Sequence, residues 1–237
     1  MTSSEYEVVN CLLSNDSHRL YVVKSRSGNE QFLMKSCEFD DSALELGKRN
    51  RYKRELEFIS TFDHPNIFKP LFSENQETFV SIIYPYRKGT TLQRFFAAKV
   101  NLNIAEKLKM MIQLVEALEH IHSRGIVHGD LHPGNIFVRE DRKVEIYDLS
   151  MCMAEEESSR RQDGLVIGTY PYLSPEQTGF TRFKVDTRSD LYCAGIILYQ
   201  LLSNRFPFEV KTNTIEELLD FMLKTELEPI RSIPYYI

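Results

Sequence analysis

The chain has 237 residues, of which 42% are hydrophobic and 27% are charged, and this composition predicts a soluble, packed protein. The formal net charge of −5 offers no basic surface for phosphate backbones, so we expect no nucleic acid partner. The four cysteines are scattered without a CxxC pair, which argues against disulfides or a zinc ribbon and favours a cytoplasmic location. No apolar stretch approaches the roughly 18 residues that span a bilayer, so we expect no membrane insertion.

The first third of the chain alternates between short β-type runs and polar turns. Four runs predict an antiparallel sheet, and they are Tyr6–Leu13, Leu20–Ser25, Gln31–Lys35 and Thr78–Tyr84. Between the last two runs, Leu44–Phe62 has apolar residues at helical spacing and ends before Asp63-His64-Pro65. The sequence therefore predicts a small sheet interrupted by one helix.

The rest of the chain is mainly helical in pattern. Asn103 is a predicted N-cap, and the apolar residues from Ile104 to Ile121 repeat at helical spacing. Four further elements are predicted here: the short strands Ile136–Arg139 and Val144–Tyr147, and the helices Ser189–Leu202 and Ile215–Thr225. We therefore predict an α+β protein with a β-rich lobe (1–84), a connector (85–89) and a helical lobe (90–237), with the chemistry in the cleft between the lobes.

One polar stretch within the helical part carries most of the functional information. The run His128-Gly129-Asp130-Leu131-His132-Pro133-Gly134-Asn135 is followed, 13 positions after Asn135, by Asp148-Leu149-Ser150. This order and spacing resemble the HRDxxxxN catalytic loop and the DFG motif of protein kinases. The resemblance implies the bilobal protein kinase fold and phosphoryl transfer from Mg-ATP, with Asp130 as the base and with Asn135 and Asp148 as ligands of Mg²⁺. It also places His132 where Ser/Thr kinases usually have a phosphate-facing lysine.

Residues upstream and downstream extend the resemblance over nearly the whole chain. Lys35 and Glu55 are similar to the kinase ion pair in which a strand lysine neutralises phosphate charge and a helix glutamate orients it. The segment from Gly168 to Ser174-Pro175-Glu176 resembles the end of a Ser/Thr kinase activation segment. Asp190 resembles the helix aspartate that anchors the catalytic loop. The sequence Ser174-Pro175-Glu176-Gln177-Thr178-Gly179 is similar to that of kinase-like domains at the start of large multidomain bacterial signalling proteins.

The resemblance also implies a nucleotide site, a substrate and partners. It assigns Leu13 to the nucleotide loop, Leu20, Leu33 and Phe137 to the two sides of adenine, the backbone near Pro85 and Arg87 to its edge, and Tyr84 to the gatekeeper position. Asp148 would bind both the metal and the nucleotide. A protein with an acceptor Ser or Thr would be the substrate, and further domains of a longer chain would be partners.

Several positions depart from the kinase pattern. The nucleotide loop of kinases normally has three glycines, which let the backbone approach the phosphates closely. This sequence has Leu13, Asn15 and His18 at those positions. Gly129 replaces the arginine that pairs with a phosphorylated activation segment in many kinases. The sequence also ends before the last helices of a kinase C-lobe, so the domain is expected to be truncated and Glu176 to lack its arginine partner.

These departures leave two alternatives to an active Ser/Thr protein kinase. The missing glycines are typical of a pseudokinase, a scaffold with little or no transfer activity. The loop HGDLHPGN also resembles that of small-molecule phosphotransferases, although the Ser174-Pro175-Glu176 segment argues against this alternative because such enzymes generally lack it.

Overall fold

The computed structural model describes residues 5–14, 19–39, 43–76, 78–158, 168–207, 214–224 and 229–230. The chain forms two compact units. The first comprises Met1–Asp63 and Ile67–Lys88, and the second comprises His64–Asn66 and Gly89–Ile237. Asn15 and His18 of the predicted nucleotide loop lie outside the described residues.

The first unit is a five-stranded antiparallel sheet with one helix. Its strands lie in the order β1-β2-β3-β5-β4. The bounds are β1 Tyr6–Ser14, β2 Arg19–Ser25, β3 Gln31–Glu38, α1 Ala43–Thr61, β4 Phe72–Asn75 and β5 Phe79–Pro85. Three of the four predicted strands and the predicted helix agree with these bounds to within one residue, while β3 extends three residues further. The strand β4 was not predicted, because Phe72 is its only large apolar residue and it therefore shows no apolar alternation. This strand lies at the edge of the sheet.

The alternation of side chains along β3 explains how one strand serves both the core and a polar site. Met34 packs with Tyr6, Val23 and Ile83 in a buried cluster. Because successive strand residues point to opposite faces, Leu33 and Lys35 share the face opposite Met34. In the register, Lys35 lies between Leu20 of β2 and Ile82 of β5. The lysine therefore sits on the central strand, with a strand on each side.

The second unit is mainly helical and contains two small sheets. Its elements are β6 Gly89–Thr91, α2 Leu92–Ala97, α3 Ile104–His122, β7 Ile126–Val127, β8 Ile136–Arg139, β9 Val144–Ile146, β10 Met153–Ala154, α4 Glu155–Ser158, α5 Thr187–Ser203 and α6 Ile215–Lys224. Strands β6, β8 and β9 form one antiparallel sheet, and β7 pairs with β10. The α+β prediction is confirmed. Within the described part of the chain, no helix is both long and apolar enough to cross a membrane.

The long helix α3 begins where the sequence predicted. Asn103 Oδ1 accepts a hydrogen bond from Glu106 N at 2.9 Å, and Glu106 Oε2 accepts one from Asn103 N at 2.9 Å. This reciprocal capping box satisfies main-chain donors that have no partner within the helix. The predicted N-cap at Asn103 is therefore confirmed.

Two short elements near residue 90 were not predicted. Strand β6 pairs with β8 so that Thr91 lies opposite Phe137. The Thr91 hydroxyl then caps α2 by accepting a hydrogen bond from Arg94 N at 3.3 Å. Both elements are too short for a periodic pattern, because β6 has three residues and α2 has six. Their presence depends on the pairing with β8.

Candidate active site

In the first unit, a buried ion pair joins β3 to α1. Lys35 Nζ lies 2.9 Å and 2.8 Å from the two carboxylate oxygens of Glu55. The exposed fractions of the two side chains are only 1% and 0%. The ammonium also lies 5.1 Å from the centre of the Tyr52 ring. A buried charge requires a partner, so Glu55 fixes the lysine on its strand. Glu57, two residues further along the helix, is exposed.

In the second unit, Asp130 lies in the segment between β7 and the 3₁₀ turn Pro133–Asn135. The Thr169 hydroxyl donates to Asp130 Oδ1 at 2.7 Å. Asn135 Nδ2 donates to the Asp130 main-chain oxygen at 3.0 Å and lies 3.5 Å from Asp130 Oδ2. The side chain remains 18% exposed. Asp130 is therefore a held carboxylate that is open to solvent and already accepts a hydrogen bond from a hydroxyl group.

Asn135 and Asp148, the two predicted metal ligands, are both buried. Asn135 Nδ2 donates to the Asp130 main-chain oxygen, so Oδ1 is the atom of this amide group that can serve as a metal ligand. Tyr147 N donates to the Asn135 main-chain oxygen at 3.1 Å, which brings the residue before Asp148 beside Asn135. An amide oxygen and a carboxylate are hard oxygen donors and fit Mg²⁺. The described residues contain no cluster of three or more His, Cys, Asp or Glu that could hold a metal ion.

His132 lies close to Asp130 but does not form a short ion pair with it. Its Nε2 is 3.8 Å from Asp130 Oδ2, while its Nδ1 accepts a hydrogen bond from Gly134 N at 3.1 Å. Burial lowers the pKa of His132, although the nearby Asp130 carboxylate acts in the opposite direction. The imidazole is therefore neutral at neutral pH, and it differs from a lysine at this position in carrying no charge.

Asp190 of α5 holds the backbone of the loop that leads to Asp130. Its carboxylate accepts hydrogen bonds from His128 N at 2.8 Å and from Gly129 N at 3.0 Å. His122 Nε2 lies 2.8 Å from the same carboxylate. The predicted role of Asp190 as the anchor of this loop is confirmed.

Glu176 has a different partner from the one expected. The kinase pattern pairs this glutamate with an arginine, whereas in the described part of the chain its carboxylate accepts a hydrogen bond from the Ser189 hydroxyl. Ser189 is fully buried in the first turn of α5. A neutral hydroxyl near in sequence therefore bonds to this carboxylate.

The residues predicted to surround adenine are divided between the two units. Leu20 lies on β2, Leu33 is buried on β3, and Phe137 is half-buried on β8 of the second unit. The main chain of Leu13 pairs with Leu20, and its side chain lies outside the described part. The roles of these residues around adenine stay predictions.

The residues near the end of β5 are ordered by an aromatic stack. The Tyr84 ring lies 5.0 Å from the Phe68 ring, with 5° between their planes. The Arg87 guanidinium lies 5.4 Å from the centre of Phe68. Pro85 is the last residue of β5. Tyr84 is buried in this stack, with an exposed fraction of 1%.

Two residues at this site were not assigned a role from the sequence. Thr169 donates to the Asp130 carboxylate. Gln177, two residues after the Ser-Pro of the Ser174-Pro175-Glu176 segment, is buried and donates to the Gly129 main-chain oxygen at 2.7 Å. Each contact joins positions at least 39 residues apart. The sequence signal is their position: Thr169 lies in the segment that resembles the end of a kinase activation segment, and Gln177 directly follows that segment.

Comparison with known proteins agrees with this arrangement. The profile of the protein kinase domain family matches residues 16–234. The chain is 29% identical over 208 residues to the serine/threonine-protein kinase PrkC of Bacillus subtilis, which covers 87% of this chain and 32% of that protein. It is 34% identical over 171 residues to a probable serine/threonine-protein kinase PknB of Bifidobacterium longum, covering 67% of this chain and 24% of that protein.

A third relative is the serine/threonine-protein kinase pkn2 of Myxococcus xanthus, with 33% identity over 175 residues, 71% of this chain and 21% of that protein. The chain thus spans about a third or less of the length of these curated relatives. The family match covers most of the chain, including Lys35, Glu55, Asp130, Asn135 and Asp148. The chain belongs to the protein kinase domain family.

Proposed function

We propose that this chain transfers the γ-phosphoryl group of ATP to a Ser or Thr hydroxyl of a protein. The observation that carries the proposal is the hydrogen bond from the Thr169 hydroxyl to Asp130 Oδ1 at 2.7 Å. A base in this reaction must accept a hydroxyl hydrogen within hydrogen-bond distance, and Asp130 makes this type of contact within the protein. The partial exposure of the carboxylate leaves room for an acceptor hydroxyl.

In the proposed reaction, the acceptor oxygen forms a bond to the γ-phosphorus while the bond from that phosphorus to the bridging oxygen of ADP breaks. The acceptor hydroxyl transfers its proton to the Asp130 carboxylate. Asp130 is kept in position by Asn135, whose amide group donates to its main-chain oxygen. Asp190 holds the preceding two residues through their main-chain N–H groups. The loop is thus preorganised for a step that depends mainly on positioning.

The buried ion pair supplies the cation for the ATP phosphates. Both carboxylate oxygens of Glu55 accept hydrogen bonds from Lys35 Nζ, so the position of the ammonium group is fixed before ATP binds. In protein kinases, a lysine of this kind contacts the α- and β-phosphates of ATP. Asn135 Oδ1 and the Asp148 carboxylate would hold Mg²⁺. When bound, this ion neutralises the charge of the phosphates during transfer.

The substrate class follows from the family and from the relatives. The relatives named above are serine/threonine-protein kinases, which supports a protein acceptor. They are also several times longer than the matched region, which supports further domains as partners. The proposal places the reaction in the cytoplasm, where ATP is available and thiols stay reduced.

The proposal is tested with labelled ATP and Mg²⁺, a generic protein substrate, and a panel of small-molecule alcohols. We expect label on phosphoserine or phosphothreonine of the protein substrate and none on the small molecules. Transfer to an alcohol instead would assign the chain to small-molecule phosphotransferases. ATP binding with no transfer to any acceptor would contradict the proposal and indicate a pseudokinase.

A further inference from the structure

We propose that Gln177 is a positioning residue for Asp130, acting through the peptide bond between Gly129 and Asp130. This inference rests on the proposed function, because it concerns the orientation of the base in phosphoryl transfer. It is supported by the backbone of Gly129, by the two hydrogen bonds of Gln177 and by the close packing of Gly168.

The peptide before Asp130 has a conformation that side chains rarely permit. Gly129 has a φ of +76°. A Cβ at this position would lie 2.7 Å from Met153 Cε and 3.0 Å from the Met151 main-chain oxygen. Such contacts are closer than atoms normally allow, and a positive φ strains residues other than glycine. Gly129 therefore gives its carbonyl group a direction that most residues at this position could not give.

That carbonyl group points at Gln177. Gln177 Nε2 donates to the Gly129 main-chain oxygen at 2.7 Å, while Gly129 N donates to Asp190 Oδ1 at 3.0 Å. The two peptide groups that flank the Gly129 Cα are therefore held from opposite ends, by α5 and by Gln177. Because the carbonyl carbon of Gly129 is bonded to the nitrogen of Asp130, this fixes the peptide plane from which the base extends.

Gln177 is itself fully engaged in the protein interior. Its exposed fraction is 2%. Its Oε1 accepts a hydrogen bond from Ser174 N at 3.0 Å, so both ends of the amide have partners. The same Oε1 lies 3.7 Å from the Cys193 thiol. Because the donor and acceptor ends of the amide have different partners, only one orientation of the side chain satisfies both.

The backbone next to Thr169 adapts to the same side chain. A Cβ on Gly168 would lie 3.1 Å from Gln177 Nε2 and 2.6 Å from Leu173 Cδ2. Gly168 also has a positive φ, of +116°. Thr169, the next residue, donates its hydroxyl to Asp130. Gln177 thus donates to the peptide that precedes Asp130, and its Nε2 lies where it limits the side chain that could replace Gly168, the residue before Thr169.

These contacts predict a specific kinetic effect. In Gln177→Leu, the Gly129 oxygen and Ser174 N lose their buried partners, so the orientation of Asp130 is no longer fixed. We expect kcat to fall by about ten- to a hundredfold. The KM for ATP should stay within about twofold, because the hydrogen bonds of the Gln177 side chain go to Gly129 and Ser174 and not to the predicted metal ligands Asn135 and Asp148.

The isosteric variant Gln177→Glu separates positioning from a loss of folding. A protonated Glu side chain can donate to the Gly129 oxygen and accept from Ser174 N, whereas a carboxylate cannot donate. Burial favours the protonated form of such a carboxyl group. We therefore expect kcat of this variant, divided by kcat of the wild type at the same pH, to rise as the pH is lowered. Gln200→Glu is the matched control, because Gln200 Oε1 accepts from the Tyr172 hydroxyl at 2.9 Å and a carboxylate can accept the same hydrogen bond.

The experiment measures kcat and KM for both Gln177 variants and the control across pH, with thermal melting under each condition. Hydrogen exchange of the amides in 128–135 and of Ser174 is recorded for wild type and Gln177→Leu, and faster exchange in the variant supports the bridge. Full kcat in Gln177→Leu, with an active wild type, would overturn the inference and leave the proposed function intact. A wild type that transfers no phosphate would instead overturn the proposed function. In that case the hydrogen exchange still tests the contacts of Gln177 with Gly129 and Ser174, because unchanged exchange in Gln177→Leu would refute their role in holding the loop.

Discussion

Replacing Asp190 with Asn removes a charge from a carboxylate whose exposed fraction is 1%. The carboxylate accepts hydrogen bonds from His128 N and Gly129 N and pairs with His122. Asparagine has only one side-chain acceptor oxygen. When that oxygen takes the place of Asp190 Oδ2, the amide NH₂ group takes the place of Oδ1 and faces Gly129 N, which is then a buried donor without an acceptor. An unsatisfied buried donor costs about 1–3 kcal/mol, and the remaining hydrogen bonds weaken without the charge. We expect the free energy of unfolding to fall by about 2–4 kcal/mol, a large part of the usual 5–15 kcal/mol.

Asp186→Asn is the matched control, since it makes the same change four residues earlier at the N-cap of the same helix. Asn is as good an N-cap as Asp. The control also loses an ion pair with Arg188, whose side chain is 79% exposed, and solvent screening leaves such an exposed pair with little effect on stability. Urea unfolding followed by circular dichroism measures both variants. Equal losses of stability in the two would refute the assignment of Asp190 as the anchor of the loop.

Three further predictions follow from the described contacts. Glu55→Gln removes the negative charge that holds the strand lysine in place, so kcat/KM for ATP should fall by about tenfold or more. Glu57→Gln, at an exposed position, should change kcat/KM for ATP by less than twofold. Burial raises the pKa of Tyr172 to about 12, above the usual value of about 10, so its contribution to stability is full below pH 10 and is lost as the pH rises to 12. The urea midpoint should therefore fall less steeply over this range in Tyr172→Phe than in the wild type, and identical slopes would contradict the prediction. Gly129→Ala should destabilise the chain by about 1–2 kcal/mol or more, from its positive φ and its contacts, whereas Gly28→Ala has open space and should be nearly neutral in thermal melting.

The long elements could be predicted because their signals are local. Helix α3 combines a capping residue with an apolar repeat over 19 residues, and both signals depend only on neighbouring positions. The β3 strand and α1 were found in the same way. By contrast, β4, β6 and α2 are short, and their stability depends on pairing with residues far away in sequence. No local pattern distinguishes them from loops.

In the candidate site too, some residues have a local sequence signal, whereas others depend on contacts between distant positions. The resemblance to the catalytic loop and DFG motif of kinases indicated Asp130, Asn135 and Asp148, and the short hairpin of β8 and β9 lies between Asn135 and Asp148. The bridge from Gln177 to Gly129 spans 48 positions and depends on a positive φ that no sequence pattern gives directly. Likewise, the kinase pattern gave only an arginine as the partner of Glu176, whereas the Ser189 hydroxyl donates to its carboxylate. Tertiary packing determines contacts of this kind.

The central claim is that Asp130 is the base of a phosphoryl transfer, and single-turnover transfer from labelled Mg-ATP tests it most directly. Asp130→Asn is compared with wild type and with Asp141→Asn. Asp141 is exposed, and its carboxylate accepts a hydrogen bond from Lys143 N and pairs with Arg139. ATP binding is measured for all three. We predict that Asp130→Asn retains ATP binding but loses at least about a hundredfold in transfer rate, while Asp141→Asn matches the wild type. Transfer by Asp130→Asn at the wild-type rate would contradict the account.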